Sequence, residues 1–167
     1  MTHHPDPRPT LGLAALLAFL SMLSPFSLDT FFPSFPAIAQ EFSLSALQLQ
    51  QTLTAYLVPY GLTMLLHGPL SDAYGRRRTI LVGVSLYTVA SIACAGAQGF
   101  GALLVFRALQ GATAGAGMVV ARAVVRDLYS GHEAQRLMSL ITMLFGFAPA
   151  VAPVIGGWVH VAFGWRA

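Results

Sequence analysis

Residues 68–78 read GPLSDAYGRRR and lie between two long apolar runs of a 167-residue chain. The segment ends in three consecutive arginines, residues 76–78. Short loops rich in arginine tend to remain on the cytoplasmic side of a membrane. The segment therefore predicts a short cytoplasmic loop between two membrane-spanning helices.

The composition indicates that the solvent of this chain is lipid. Hydrophobic residues make up 56% of the sequence and charged residues only 9%, whereas soluble domains carry roughly 25% charged residues. All nine basic residues are arginines, and they cluster at the ends of apolar runs rather than along one polar face, so a nucleic-acid partner is not expected. The single cysteine, Cys94, lies inside an apolar run, which excludes a disulfide framework and a thiolate metal site.

Several apolar runs are long enough to cross a bilayer, which takes about 20 residues in a helix. Five runs qualify, at about 11–31, 52–70, 79–97, 101–121 and 137–161. Between them the sequence predicts linkers at 32–51, 71–78, 98–100 and 122–136, and a short polar tail at 1–10. The predicted fold class is an all-α integral membrane protein with about five spans.

The positions of the arginines predict the orientation. Arg8, the loop arginines 76–78, Arg126 and Arg136 fall on one side of the predicted membrane, whereas Glu41 and Arg166 fall on the other. The N-terminus is therefore expected in the cytoplasm.

Two ionisable residues lie inside predicted spans, where a charge costs about 2.5–3.5 kcal/mol or more. Asp29 lies near the end of the first span, and Arg107 lies within the fourth, on the same helical face as Gln110, Gly111 and Gly115. Arg107 could be a packing arginine, and Asp29 could be solvated at the headgroup level. Alternatively the two residues pair with each other, so that Asp29 takes up a proton and Arg107, which stays charged, senses that change.

The fifth predicted span contains a row of helix-bending residues. Gly146, Pro149, Pro153, Gly156 and Gly157 recur on one face, and prolines four residues apart free backbone carbonyls and bend a helix. The pattern is typical either of a static kinked helix or of a bent helix that rocks against a partner. No nucleophile elbow, phosphate-binding glycine loop or carboxylate cluster is present, so the sequence does not predict an enzyme.

Four motifs carry a resemblance to a known family. From about Leu23 to Ala167 the chain resembles the major facilitator superfamily, and within it the drug:proton antiporters of the Bcr/CflA type. GPLSDAYGRRR resembles the loop between helices two and three, LVFRALQGATAG the fourth-helix motif, PAVAPVIGG the fifth-helix antiporter motif, and SLDTFFPSFPAIAQEF the first-helix stretch of drug exporters. Ala73 and Ala152 depart from the residues usual in these motifs, a basic residue and a glycine.

The resemblance implies roles for individual residues of the loop and of the fourth helix. In the loop, Gly68 would allow close packing, Asp72 would cap a helix of the other half, and Gly75 would make the turn. Arg76 would pair with Asp72 and with Asp127, and the segment would act as a conformational switch. Arg107 would take part in proton coupling, with Asp29 at the acidic position of the first helix and Gln110 beside Arg107 in the substrate cavity.

The resemblance also implies an architecture and an activity. The family has twelve helices in two pseudo-symmetric halves, of which this chain would supply helices one to five of the N-terminal half. The implied activity is proton-driven efflux of drugs across the bacterial inner membrane by alternating access, with the proton gradient as energy source and no cofactor. The implied partners are membrane lipid, a small apolar or amphiphilic substrate and the missing C-terminal half of the transporter.

Two other functions remain open from the sequence. One is a proton-coupled uptake carrier of the same superfamily, and the other is a small membrane protein that does not transport. The kinked fifth span and the acidic residue of the first span favour export.

Overall fold

The chain is a bundle of long α-helices. The computed structural model describes residues 11–167, so the predicted tail at 1–10, with Arg8, lies outside the described residues. The elements are α1 (Leu11–Asp29), a 3-10 turn (Phe32–Ser34), α2 (Phe35–Glu41), α3 (Ala46–Tyr74), α4 (Arg76–Ala95), α5 (Phe100–Leu128) and α6 (Gly131–Phe163).

Three of the four connections between helices are shorter than the sequence predicted, and the connection between α4 and α5, residues 96–99, is one residue longer. The predicted linker at 32–51 contains a 3-10 turn, the short helix α2 and the first turn of α3. That first turn is fixed by a capping box, in which the backbone N–H of Gln48 donates to Ser45 Oγ (3.3 Å) and the backbone N–H of Ser45 donates to Gln48 Oε1 (2.9 Å). The Ser-x-x-Gln spacing is a recognisable start signal for a helix.

The two arginine-bearing connections are also reduced to one or two residues. α3 continues to Tyr74 and α4 begins at Arg76, so only Gly75 separates them. Its φ of +90° lies in a region that favours glycine. In the predicted linker at 122–136, both α5 and α6 extend inward until two residues remain. The polar residues of these two segments predicted where the chain leaves the bilayer, but the helices continue through those residues.

α5 is the central helix of the bundle and contacts α1, α3, α4 and α6. Its glycines allow this. A Cβ placed on Gly111 would lie 2.1 Å from the carbonyl oxygen of Tyr56 in α3, and one placed on Gly117 would lie 2.5 Å from the carbonyl oxygen of Leu20 in α1. Small residues of this kind let helix backbones approach closely, which drives helix association in lipid.

Salt bridges identify the two ends of the bundle. At one end Arg76 at the start of α4 contacts Asp127 near the end of α5 (2.9 Å); we call this the arginine end. At the opposite end Arg166, which follows α6, contacts Glu41 and donates to the carbonyl oxygens of Ala95 and Ala97. Trp165 also donates to Glu41 there, so we call this the tryptophan end. Among the described residues, those that the sequence predicted on opposite sides of the membrane thus lie at opposite ends of the bundle.

Four helical segments are long and apolar enough to cross a membrane within residues 11–167: Gly12–Glu41, Arg76–Ala95, Phe100–Leu128 and Gly131–Phe163. α3 has the length to cross a bilayer but is not among them, because Thr, Tyr, Gly and Pro interrupt its apolar residues; the predicted span at 52–70 stays a prediction. Large apolar side chains face outward from the bundle, including Leu65, Ile92 and Val161. Such a surface suits lipid, where the backbone polar groups are satisfied within each helix.

Candidate functional site

A cavity of about 440 Å³ lies within the bundle and reaches the tryptophan end. Its walls come from the end of α1 and the 3-10 turn, from the second half of α4, from the first half of α5 and from the end of α6. The lining residues are Phe26, Ser27, Thr30, Phe31, Ser34, Tyr87, Ser91, Cys94, Ala95, Arg107, Gln110, Ile155, Gly156, Val159, His160 and residues 164–167.

Arg107 is the charged residue buried most deeply in the wall of this cavity, with 2% of the residue exposed. Its Nη1 donates to Gln110 Oε1 at 2.7 Å, and Gln110 Nε2 donates in turn to Ser91 Oγ in α4, also at 2.7 Å. Because Arg107 and Gln110 are three residues apart on α5, one helical turn presents both to the cavity. The structure therefore brings together two of the three residues predicted for proton coupling and the substrate cavity.

Two aromatic rings cover the guanidinium group of Arg107. Its Cζ lies 4.2 Å from the centre of the Phe31 ring and 4.6 Å from that of Tyr56. Tyr56 is held in position by its hydroxyl, which donates to the carbonyl oxygen of Ser24 at 3.2 Å. Nε and Nη2 of Arg107 are buried without a hydrogen-bond partner in the described chain. The two rings and the single hydrogen bond to Gln110 are therefore the interactions that offset the cost of burying this charge in the described chain.

Asp29, the third predicted residue, lies apart from this arrangement. It is half-buried at the end of α1, is not part of the cavity wall, and forms no ion pair with Arg107 in the described chain. The direct contact that the pairing hypothesis expects is absent from the described chain, and a role of Asp29 in proton coupling stays a prediction. The helix ends at Asp29, and the next residues turn, so it is Thr30 and Phe31 that line the cavity.

Several polar residues of the cavity were not predicted. Tyr87, Ser91 and Cys94 on α4 all line it, and His160 Nδ1 lies 3.3 Å from Ser34 Oγ across the gap between α6 and the 3-10 turn. The signal for the α4 residues is their i, i+4, i+7 spacing, which places a stripe of small polar groups and one ring on one face of an otherwise apolar helix. The contact between His160 and Ser34 has no local signal, since 126 positions separate the two.

Some of the glycines and prolines on α6 contact other helices, whereas others are exposed on the surface of the bundle. A Cβ on Gly156 would lie 2.3 Å from the carbonyl oxygen of Thr30, so this glycine permits close approach of α6 to the end of α1. Gly146 and Gly157 have nothing within 4 Å in the described chain, and Pro149 is exposed whereas Pro153 is half-buried. Ala152, at the position where the fifth-helix antiporter motif usually has glycine, is fully buried.

The loop residues form an ionic cluster at the arginine end. Arg76 contacts Asp127 through Nε (2.9 Å) and Asp72 through Nη1 (2.5 Å), and Nη1 also donates to Ser71 Oγ. Gly75 supplies the turn that places Arg76 between the two carboxylates. Gly68 has nothing within 4 Å in the described chain, so its implied packing role stays a prediction.

We expect a double substitution to restore part of the stability that each single substitution removes from this cluster. Arg76→Asp and Asp127→Arg should each lower the free energy of unfolding by about 0.5–1 kcal/mol, because the pair is partly exposed and such pairs are worth little. Arg76→Asp also loses the contact with Asp72, so the combined variant should recover only the part of the loss that belongs to the Arg76–Asp127 pair. A double-mutant cycle in detergent measures this part as a coupling energy. Arg77→Asp, at a neighbouring position, is the control. Additive losses in the combined variant would show that the pair does not couple α4 to α5.

Comparisons with known proteins agree with this architecture. The family model described as Major Facilitator Superfamily matches residues 17–167. The chain is 43% identical over 157 residues to the uncharacterized MFS-type transporter YdgK of Bacillus subtilis, covering 94% of this chain and 39% of the relative. It is 37% identical over 151 residues to the bicyclomycin resistance protein homolog of Haemophilus influenzae (90% and 38%) and 32% identical over 157 residues to multidrug resistance protein D of Escherichia coli (94% and 40%). The chain thus spans about two fifths of the length of these relatives.

Proposed function

The chain belongs to the major facilitator superfamily, and from that premise we propose that it is the N-terminal part of an exporter of drug-like molecules in the bacterial inner membrane. The predicted all-α membrane fold is confirmed by the helical bundle and the family match. The observation that carries the proposal is the cavity, whose wall combines a buried, incompletely paired arginine with apolar and aromatic side chains and several small hydroxyl groups. A pocket of this kind suits small apolar ligands with a few polar groups. Relatives named for bicyclomycin and multidrug resistance support export as the direction.

Alternating access between two halves is the mechanism that we propose for the complete transporter. The cavity would lie on the substrate path, and the second half would close it on the side that this chain leaves open. The ionic cluster around Arg76 would hold the arginine end together in one state and release it in the other. The excess of arginines at that end supports its assignment to the cytoplasm, and with it a cytoplasmic N-terminus.

Transport into inside-out membrane vesicles tests the direction. An exporter that exchanges protons for drug accumulates a fluorescent drug when the vesicle interior is acidified, because protons leaving the vesicle drive drug inward. A proton-coupled uptake carrier would drive solute outward under the same gradient. A membrane protein without transport activity would show no response in either direction. The vesicles should carry the longer transporter whose reading frame contains this chain. A stop codon directly after Ala167 in the gene would contradict the proposal that the chain is part of a longer transporter.

We propose that Asp29 is the proton-binding residue. It is a half-buried carboxylate at the end of α1, next to the turn whose Phe31 ring lies on Arg107. Since Asp29 does not touch Arg107, its protonation would act through the position of this turn rather than through a broken ion pair.

Asp29→Asn should abolish the dependence of drug transport on the pH gradient while the protein still inserts and folds, because the amide cannot take up a proton. The measurement is drug accumulation in inside-out vesicles at several imposed pH gradients. Glu41→Gln, which removes a carboxylate of the tryptophan end, is the control and should keep the dependence. Gradient-dependent transport by the Asp29→Asn protein would rule out Asp29 as the proton site.

A further inference from the structure

His67 is a buried histidine on the face of α3 that meets α5. It is 8% exposed, and its Nδ1 is buried without a hydrogen-bond partner among residues 11–167. A Cβ placed on Gly115 of α5 would lie 3.6 Å from this nitrogen, so the ring packs against the α5 backbone. His67 is not part of the cavity wall, and neither the proposed substrate path nor the ionic cluster at the arginine end makes use of it.

The surroundings of His67 offer no counter-ion to a charged ring. None of the ion pairs in the described chain includes His67, and the polar group beside the ring is the neutral backbone of Thr63. The charged and titratable residues toward the arginine end are Tyr60, Asp72 and Tyr74 on α3, Arg76, Arg77 and Arg78 on α4, and Arg122, Arg126 and Asp127 on α5. Both aspartates of this set already contact Arg76. A protonated His67 would therefore be a buried charge without an anion, which a protein interior tolerates poorly.

A short chain of contacts connects His67 to the ionic cluster. Ser71 lies one turn after His67 on the same buried face of α3. Its Oγ donates to the carbonyl oxygen of Gly68 and accepts from Nη1 of Arg76. Arg76 in turn connects α4 to Asp127 of α5. A displacement of α3 from α5 at His67 would thus reach the contacts that hold the arginine end together.

We propose that His67 is a pH-sensitive switch in the interface between α3 and α5. While the ring is neutral, α5 packs on it and the ionic cluster stays closed. When the ring takes up a proton, water reaches the new charge only if α3 and α5 separate at the arginine end, and this separation opens the cluster. Histidine suits the role because its free side chain exchanges a proton near pH 6.5, close to the pH of a cell. The inference goes beyond the proposed export function and does not depend on it.

The distance between α3 and α5 at the arginine end tests the switch. Spin labels are attached to cysteines introduced at the exposed positions Ala73 and Leu128, in a chain whose single native cysteine is replaced by Cys94→Ser. Pulsed electron paramagnetic resonance in lipid nanodiscs then compares about pH 7.5 with about pH 5.5, on either side of the titration of a free histidine. We expect a population with a longer distance to appear at the lower pH. His67→Phe, which keeps a planar ring but cannot take up a proton, should show the short distance at both pH values, whereas His132→Phe, the same change at an exposed site on α6, should behave like the unaltered chain.

Chemical denaturation in mixed micelles keeps the test informative where His67→Phe does not fold. Below about pH 6 the unfolding constant of the unaltered chain, relative to that of His67→Gln, should rise by up to about tenfold per pH unit, because the unfolded histidine binds a proton that the folded one resists. An unchanged distance in the unaltered chain, an equal lengthening in His67→Phe, or the same pH dependence of unfolding in His67→Gln would each overturn the proposal. The vesicle experiments acidify only the interior, whereas the arginine end, proposed to be cytoplasmic, faces the medium, so their results are distinguishable from those of this test.

Discussion

Gly111→Ala is expected to destabilise the bundle by about 3 kcal/mol, at the upper end of what an added methyl group costs in a packed interior. The new Cβ would lie 2.1 Å from the carbonyl oxygen and 2.9 Å from the Cα of Tyr56. These are backbone atoms within α3, so no side-chain rotation relieves the overlap, and α3 and α5 have to move apart. The same movement would carry the Tyr56 ring away from Arg107. Denaturation of the chain in mixed micelles, followed by circular dichroism, measures the loss.

Two other glycines provide matched controls for this substitution. Gly61 in α3 and Gly101 in α5 have no described atom within 4 Å of the position that an added methyl group would take, and alanine favours a helix over glycine by up to about 1 kcal/mol. Gly61→Ala and Gly101→Ala should therefore be neutral or stabilising. A loss of stability at Gly111 no greater than at these two positions would mean that the backbones of α3 and α5 do not touch at Gly111.

The close approach at Gly111 shows what a sequence pattern can and cannot predict. The shared face of Arg107, Gln110 and Gly111 follows from helical spacing alone, and all three are buried on the side of α5 that meets other helices. Gly115 has the same spacing, but the three atoms nearest to its added Cβ belong to side chains of α3, at 3.3–3.6 Å. Which glycine is indispensable depends on where the neighbouring backbone passes, and this is a property of the whole bundle.

Asp29 illustrates the same limit for charged residues. A carboxylate and an arginine in apolar surroundings suggest a pair on energetic grounds, yet the chain surrounds the arginine with rings and leaves the carboxylate at the end of its helix. The pairing of Arg76 with Asp127 was implied by a resemblance, and the residues do meet, although 51 positions separate them. Local spacing predicts which residues share a face, but it does not predict which faces meet.

If the proposed export function holds, Arg107→Met is expected to abolish drug export by the longer transporter while changing the stability of the chain by less than about 1 kcal/mol. Breaking a well-formed buried ion pair typically costs about 3–5 kcal/mol, but Arg107 is poorly paired. Methionine would give up one hydrogen bond to Gln110 and two ring contacts, each worth about 0.5–2 kcal/mol. It would also remove a buried charge with two unpartnered nitrogens, whose desolvation costs several kcal/mol. These opposing effects are of similar size, so the net change in folding free energy is small.

The separation of stability from transport is what distinguishes a functional arginine from a structural one. Drug susceptibility of an efflux-deficient strain reports export, and a large drop in the tolerated drug concentration is expected for Arg107→Met. Denaturation of the same variant reports stability, and Arg126→Met, at an exposed position of α5, should leave both readings unchanged. If Arg107→Met destabilised the bundle by about 3 kcal/mol or more, as the loss of a well-paired charge would, the arginine would be a structural element. Unchanged drug resistance in Arg107→Met would show that export does not depend on this arginine.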